Sequence, residues 1–251
     1  MKLIDLVPLK IREGFNITDK IYFDPNNNNK INIDTTLGKK DFAPRVTKLA
    51  GTNVTVLSAY SKVNKQENVD DIRKILNALK GKGDIQIDSD SYVKFIKRTA
   101  IFFYRLLKDE KIDTIITIES SAGISNDLKT EILKRFPYNP IVFDEGIKKN
   151  TQFADYIIDK EHISNNTLIT LQKNIDKQKE RGYFKIQNIP AQFRKFVRNW
   201  LKVDDVIRTK IPNKTILIID DFLTSGSTLI ETSNLISELG AKKIIAITIL
   251  K

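Results

Sequence analysis

Residues 216 to 228 read Ile-Leu-Ile-Ile-Asp-Asp-Phe-Leu-Thr-Ser-Gly-Ser-Thr, an apolar run followed by two acids and a loop of small residues. Four consecutive apolar residues are typical of a central strand in a parallel sheet, which is buried on both faces. Asp220 and Asp221 then stand at the carboxyl end of that strand, where open α/β sheets bind their ligands. This stretch therefore predicts a fold class and the place of a site.

The residue types after the strand indicate what the site could hold. Two adjacent carboxylates can accept hydrogen bonds from a sugar diol. The loop that follows offers backbone N–H groups, hydroxyls and the positive end of the next helix, through Thr224, Ser225, Gly226, Ser227 and Thr228. That combination suits a phosphate monoester. A diol holder beside a phosphate cradle favours ribose 5-phosphate as the ligand.

The glycine content of this loop argues against two other phosphate-binding motifs. A P-loop needs a second glycine followed by Lys, and a dinucleotide fingerprint needs three glycines, whereas this loop has only Gly226. ATP and NAD are therefore disfavoured. A purely structural alternative stays open, because Thr228 and Glu231 have the spacing of a helix capping box. That alternative leaves the two acids unexplained.

A second loop of small residues follows the apolar run Ile115 to Ile118. It reads Glu119-Ser120-Ser121-Ala122-Gly123 and leads into a helical pattern that begins at Ile124. Backbone amides in such a loop can approach an anion closely. An ordinary connection between a strand and a helix is the alternative.

The stretch 216–228 resembles the phosphoribosyl pyrophosphate (PRPP) signature of type I phosphoribosyltransferases, a hydrophobic strand, two acids, two variable residues and a Thr/Ser-Gly-x-Thr loop. The resemblance implies that Asp220 and Asp221 are the catalytic pair that contacts the ribose hydroxyls, and that residues 224–228 bind the 5-phosphate. The 119–123 loop is similar to the Glu-Ala-Ser-Gly-Ile loop of xanthine phosphoribosyltransferases, with one extra residue, which implies that it binds pyrophosphate. The family also implies Mg²⁺, held mainly through PRPP without a direct protein ligand.

The implied activity is transfer of the 5-phosphoribosyl group from PRPP to a nitrogenous base or other nitrogen nucleophile, with release of pyrophosphate. The Asp-Asp-Phe-Leu sequence resembles the purine subgroup and weakly favours a purine. Two alternatives stay open. One is a regulator that senses PRPP without catalysis, since purine-operon repressors carry an Asp-Asp-Phe-Met variant of the motif. The other is an α/β protein that binds a different sugar phosphate.

Three features depart from the family pattern. Family members often have a basic pair directly after the second strand, and here the nearest pair is Lys148 and Lys149. The candidate for the flexible loop that closes over the site is Gln172 to Lys185, with basic residues Lys173, Lys177, Lys179 and Arg181. The sequence ends at Lys251 with its last strand, as in competence-associated phosphoribosyltransferase-like proteins, so we expect residues 1–90 or 144–213 to recognise the base.

Composition narrows the class of protein further. The 251 residues contain no cysteine and one histidine, which argues against a disulfide scaffold, a cysteine zinc site and a Ser-His-Asp triad. The net charge of +11 could attract a polyanionic small molecule or nucleic acid, and nucleic acid is not favoured. No apolar run is long enough for a membrane helix, so we expect a cytoplasmic protein that does not bind membranes. We also expect a homo-oligomer.

Strand and helix patterns alternate along the second half of the chain, which predicts an α/β fold with a parallel twisted sheet flanked by helices. The resemblance implies that this sheet is a type I phosphoribosyltransferase-like core. We expect an N-terminal appendage over residues 1–90, and a core over 91–251 with an insertion at 144–213. Within the insertion, apolar residues at helical spacing predict an amphipathic helix after Pro190. Those residues are Phe193, Phe196, Val197, Trp200 and Leu201.

Overall fold

The computed structural model describes most of the chain from residue 84 onward and shorter segments before it. The described residues are 14–17, 20–24, 33–34, 45–49, 52–62, 74–75, 77–82, 84–118, 123–150, 156–160, 163–182, 184–223 and 225–250. Among them, no helix is both long and apolar enough to cross a membrane.

Strands come first in the described chain, and strands and helices follow in mixed order. The strands are β1 (Gly14–Ile17), β2 (Ile21–Asp24), β3 (Ile33–Asp34), β4 (Arg45–Lys48), β5 (Thr55–Lys62), β6 (Thr114–Ile118), β7 (Ile141–Lys149), β8 (Ile157–Ile158), β9 (Val197–Arg198), β10 (Leu201–Val203), β11 (Thr215–Phe222) and β12 (Lys243–Leu250). The α-helices are α1 (Ser89–Leu107), α2 (Ile124–Leu133), α3 (Asn165–Glu180), α4 (Asp205–Arg208) and α5 (Ser227–Glu238). Two 3₁₀ helices span Ile186–Asn188 and Ala191–Phe196.

The main sheet has eight strands, and its centre is parallel. Five strands run parallel in the order β7-β6-β11-β12-β5. Antiparallel β10 extends the β7 edge, and β3 and β4 pair antiparallel with β5 at the other edge. The α/β fold with a mostly parallel sheet is therefore confirmed, with the signature strand β11 at its centre.

Burial on both faces explains why β11 lies in the middle. Its residues Ile216 to Ile219 are fully buried, and they alternate between two hydrophobic clusters. Leu217 and Ile219 face the cluster that includes α1 and α2, whereas Ile216 and Ile218 face the cluster that includes α3 and α5. The result is a three-layer arrangement in which only the ends of the central strands are open to a ligand.

The insertion contains ordered elements, but the predicted amphipathic helix over residues 193–201 is wrong. The chain forms a 3₁₀ helix to Phe196 and then β9 and β10, separated by Asn199 in the left-handed region (φ 61°). β9 pairs with β8, and β10 pairs with the end of β7. Trp200 and Leu201 are still buried. The apolar positions thus marked the core correctly, while tertiary strand pairing overrode their helical spacing.

Residues before 91 contribute directly to the main sheet. β5 pairs in parallel with β12, with Val56 opposite Ala246. Residues 74–75 and 77–79 are helical. The division of the chain near residue 91 stays a prediction, and the sheet itself takes strands from both sides of it.

Candidate functional site

The carboxyl ends of the central parallel strands meet at one edge of the sheet, and the signature residues lie there. Asp220 is in register with Thr248 of β12, and Ile219 is in register with Thr117 of β6. The chain leaves β11 after Phe222 and starts α5 at Ser227. The carboxyl end of β6 lies at the same edge, because β6 and β11 are adjacent and parallel.

The two acids differ in their surroundings. Asp220 is 9% exposed, and its Oδ1 accepts a hydrogen bond from the Asp221 amide at 2.9 Å. Asp221 is half-buried, and its Oδ1 accepts from the Phe222 amide at 2.7 Å. Burial first, and then the neighbouring Asp221 charge, raise the pKa of Asp220 to about 8. Near neutral pH the ligand-free pair therefore holds a proton, and it can both donate to and accept from a diol.

A lysine from the N-terminal part of the chain lies beside this pair. The Lys80 Nζ is 4.7 Å from the centroid of the Phe222 ring. The Lys80 charge also opposes the rise in the pKa of Asp220, so its ammonium is close enough to act on that carboxyl. Sequence reasoning found no chemistry before residue 90, and no motif around Lys80 could have revealed this contact. The tertiary structure alone adds a cation to the site.

Hydroxyl side chains contact each other in the loop between β11 and α5. The Ser225 and Ser227 hydroxyls are 2.9 Å apart, and the Ser227 amide donates to the Ser225 Oγ at 3.4 Å. Gly226 has φ 74° and precedes the first residue of α5. A Cβ on Gly226 would lie 3.3 Å from the Leu49 Cδ2, so glycine suits both the backbone and the space. Thr224 lies outside the described residues, and Thr228 is half-buried in the first turn of α5.

The capping-box alternative for this loop is wrong. Gly226 rather than Thr228 occupies the N-cap position of α5. The Glu231 side chain does not return to the loop; it is buried, and it accepts from the Asn199 amide at 2.5 Å and from the Arg198 Nη1 at 3.5 Å. Burial is the main cause that raises the pKa of Glu231. Glu231 therefore links the insertion to α5 through hydrogen bonds.

The loop after β6, like the loop after β11, ends in a left-handed glycine directly before a helix. Gly123 has φ 68° and precedes α2, and its carbonyl accepts from the amides of Asn126 and Asp127 at 3.0 and 3.1 Å. Glu119, Ser120, Ser121 and Ala122 lie outside the described residues. Two helices on adjacent strands thus start after a left-handed glycine at one edge of the sheet. Free amides at both helix starts would favour an anion.

The Asp144 side chain and the Glu145 backbone, both in the middle of β7, contact α2 and β6. The Glu145 backbone is left-handed (φ 50°), and its amide donates to the Thr117 Oγ1 at 2.9 Å. That hydroxyl in turn donates to the Asn126 Oδ1 at 2.9 Å. Asp144 accepts from the buried Lys129 of α2. These contacts connect β6, β7 and α2.

The basic residues proposed for pyrophosphate are at different distances from the strand ends. Ile147 is in register with Ile118, so Lys148 and Lys149 lie one and two residues past the end of β6 at the site edge. The Lys148 Nζ is 3.7 Å from Asp204. Lys177 and Arg181 are exposed on α3 and just after it. The roles of all four remain predictions.

The flexible loop expected at Gln172 to Lys185 is wrong for most of its length. Residues 172–180 belong to α3, which packs on the core through Leu171 and Ile175. The charged residues Lys173 and Lys179 therefore project from a helix. Regular hydrogen bonds along α3 and its buried apolar face explain its order.

Metal binding can be judged from the donor atoms. Among the described residues, no group of three or more His, Cys, Asp or Glu side chains could hold a metal ion. The carboxylate oxygens of Asp220 and Asp221 are the donor type that Mg²⁺ takes, and Mg²⁺ is usually bound by one or two carboxylates together with substrate phosphates. The residues present therefore fit an Mg²⁺ ion that arrives with a phosphorylated ligand.

Comparison with known proteins gives one family. The family model for the phosphoribosyl transferase domain matches residues 88–251. A curated relative, the ribose-phosphate pyrophosphokinase of Thermoplasma volcanium, is 27% identical over 134 residues, 48% of this chain and 46% of the relative. The chain thus spans about half the length of this relative.

Solved structures with a similar fold are distant in sequence. A hypoxanthine phosphoribosyltransferase from Staphylococcus aureus is 16% identical, with a TM-score of 0.35 and 62% of each chain covered. A hypoxanthine-guanine phosphoribosyltransferase from Bacillus anthracis is 15% identical, with a TM-score of 0.38, covering 66% of this chain and 71% of that one. The family model matches more than half of the 251 residues, so this chain belongs to the type I phosphoribosyltransferase family.

Proposed function

We propose that the protein transfers the 5-phosphoribosyl group from PRPP to a nitrogenous base and releases pyrophosphate. The observation that carries the proposal is the acid pair at the end of β11, followed five residues after Asp221 by a left-handed glycine that precedes α5. A family domain without this pair would support only a fold. A purine acceptor is favoured weakly, by the Asp-Asp-Phe-Leu sequence.

The reaction needs no protein nucleophile. The nitrogen lone pair of the base forms a bond to C1′, the bond from C1′ to the pyrophosphate oxygen breaks, and pyrophosphate leaves with the electron pair. A proton on the attacking nitrogen passes to solvent. The role of the protein is to position both partners and to stabilise the charges that develop.

Asp220 and Asp221 hold the ribose hydroxyls in this proposal. Positive charge develops on the ribose ring in the transition state, and a nearby carboxylate stabilises it. The same positive charge lowers the pKa of Asp220 from its ligand-free value of about 8, because opposite charges favour the ionised form. The acid pair thus becomes more anionic at the point where anionic charge helps.

The two loops bind the phosphate groups. Ser225, Gly226 and Ser227 supply hydroxyls and amides for the 5-phosphate at the start of α5. The loop at 119–123 binds pyrophosphate, with Lys148 and Lys149 as candidate cations at the same edge. Bound with the substrate, Mg²⁺ would neutralise the negative charge that builds on the leaving pyrophosphate.

The test is release of pyrophosphate from PRPP and Mg²⁺ across a panel of purine and pyrimidine bases. Base-dependent release is expected, and it should be lost in Asp220→Asn with Asp221→Asn while the chain stays folded. Asp205→Asn is the matched control, because the Asp205 side chain is 98% exposed on α4. Release that is unchanged in the double variant would overturn the assignment of the acid pair.

A PRPP-sensing regulator is the second candidate. One observation favours it: Lys202 on the edge strand β10 lies directly across from Lys148, next to Lys149, so basic residues cluster at an open sheet edge. Such an edge could contact a polyanion such as nucleic acid. Tight PRPP binding without turnover on any base would favour this candidate over the transferase. A homo-oligomer and a cytoplasmic location remain predictions.

A further inference from the structure

The two helices that start at the site edge pack on opposite faces of the main sheet. α5 begins after the loop that follows β11, and its Leu229 and Ile236 are buried in the cluster that includes α3. α2 begins after the loop that follows β6, and its Ile124 and Leu128 are buried in the cluster that includes α1. The starts of α2 and α5 therefore reach the end of β11 from opposite faces of the sheet.

This arrangement gives PRPP a direction in the proposed site. Its 5-phosphate and its pyrophosphate are attached at C5 and C1, at the two ends of the ribose, and the hydroxyls on C2 and C3 lie between them. The proposed function places the 5-phosphate at the start of α5 and the hydroxyls at Asp220 and Asp221. The pyrophosphate then lies on the other face of the sheet, on the side of α2.

Lys80 lies on that same face. Its Nζ is 4.7 Å from the centroid of the Phe222 ring, and Phe222 is buried in the cluster that includes α1 and α2. The Lys80 charge also acts on the Asp220 carboxyl, whose pKa it lowers against the larger effect of burial. The Lys80 ammonium is therefore at the end of β11, on the α2 side of the acid pair.

The segment that carries Lys80 is held by the core. Ile75, Ala78 and Leu79 are buried in the same cluster as Phe222. The Lys80 amide donates to the Asn77 carbonyl at 3.1 Å. A side chain on a fixed backbone loses less conformational freedom when it binds a ligand. Lys80 is thus positioned before any substrate arrives.

The Lys80 ammonium is also available to an anion. In the described part of the chain, no carboxylate lies within 4.0 Å of its Nζ. Other lysines at this edge are engaged: Lys129 pairs with Asp144, and the Lys148 Nζ is 3.7 Å from Asp204. Lys80 is half-buried, so salt screens its charge less than that of an exposed lysine.

We propose that Lys80 binds the pyrophosphate group of PRPP, as a cation supplied by the N-terminal part of the chain. Directly after the first half of β7 the sequence has Asp144 and Glu145 in place of a basic pair, so a cation from elsewhere is needed. The ammonium also offsets the negative charge that builds up as the bond from C1 to the pyrophosphate oxygen breaks. The inference rests on the proposed use of PRPP, but not on turnover.

Calorimetry with PRPP and with ribose 5-phosphate, each with Mg²⁺, tests the contact on the full chain. Both ligands have the 5-phosphate and the ribose hydroxyls, so the ratio of their affinities isolates the pyrophosphate. Lys80→Met should lower this ratio about tenfold, the scale of one lost ion contact. An indirect effect through Asp220 would weaken both ligands alike and leave the ratio unchanged.

Two further variants and one control accompany Lys80→Met. Lys80→Arg keeps the positive charge and should restore most of the ratio. Lys80→Gln is a second uncharged variant and should lower the ratio as Lys80→Met does. Lys82→Met is the matched control, because Lys82 is an exposed lysine two residues further along, and it should leave the ratio unchanged. Binding of ribose 5-phosphate shows that each variant is folded.

The outcomes separate this inference from the proposed function. A ratio that falls in Lys80→Met and recovers in Lys80→Arg supports the contact, even if no base yields turnover. The inference alone is overturned if the wild type binds PRPP and the uncharged variants keep its ratio, if Lys82→Met lowers the ratio equally, or if Lys80→Met changes only the KM for the base. A wild-type protein that does not bind PRPP overturns the proposed function as well.

Discussion

Replacement of Asp220 by Asn should stabilise the ligand-free protein at alkaline pH and leave it unchanged in acid. The pKa of Asp220 is raised from 3.8 to about 8, chiefly by burial. The folded state therefore keeps a proton that the unfolded chain releases between those pH values. The stability that this proton contributes is fully present below about pH 4, and it is lost as the pH rises through about 8.

The shift sets the size of the effect. At about 1.36 kcal/mol per pKa unit, a rise from 3.8 to about 8 corresponds to roughly 6 kcal/mol between acid and alkaline conditions. Asn resembles the protonated acid, and its side-chain oxygen can still accept from the Asp221 amide. We take roughly 6 kcal/mol as the upper bound and expect a measured gain of about 2 kcal/mol or more above pH 8.

Urea unfolding at pH 4 and at pH 8.5 provides the measurement. Asp220→Asn should match the wild type at pH 4 and exceed it at pH 8.5, while Asp205→Asn, with its exposed side chain, should show no such divergence. The same substitution should weaken PRPP binding, since the side chain at position 220 can no longer ionise when the substrate binds. If Asp220→Asn changes the stability equally at both pH values, Asp220 is not a buried acid that keeps its proton in the folded state.

Lys80→Met should raise the pKa of Asp220 further, because the Lys80 charge lowers that pKa. The pH at which the protein loses stability should then move upward. Lys82→Met, at an exposed lysine, is the control and should leave the dependence of unfolding on pH unchanged. Gly226→Ala should cost about 2 kcal/mol or more in urea unfolding and weaken PRPP binding, since it combines a left-handed backbone with a 3.3 Å contact. Gly81→Ala is its control, because Gly81 has a similar φ of 63° and open space around it, and it should cost about 1 kcal/mol of stability. Equal losses of stability at the two glycines would contradict the crowding inferred at Gly226.

Local patterns predicted the elements that build the proposed PRPP site. The apolar run of β11 and the acids at its end are where the sequence indicated, and so are the strand Thr114–Ile118 and the helix that follows it. These predictions succeeded because burial on both faces of a central strand requires a continuous apolar run. Each of the two small-residue loops has its glycine, Gly123 or Gly226, directly before a helix. The backbone of both glycines is left-handed.

Local patterns failed where distant strands competed with a helix. The apolar spacing from Phe193 to Leu201 matches a helix, yet the left-handed Asn199 lies between two short strands. The Asn150 amide donates to the Trp200 carbonyl at 2.9 Å, a contact between residues fifty positions apart. Periodicity within a window contains no information about such pairing.

The sequence by itself determined the central strand, the acid pair and the two small-residue loops, because each depends on the chemistry of consecutive residues. Only the tertiary structure decided what surrounds them. It placed Lys80 over Phe222, and it paired Glu231 with the insertion rather than with a helix cap. The physical reason is that a pKa, a cation contact or a cavity depends on groups far apart in the chain, and their separation is known only once the sheet is assembled.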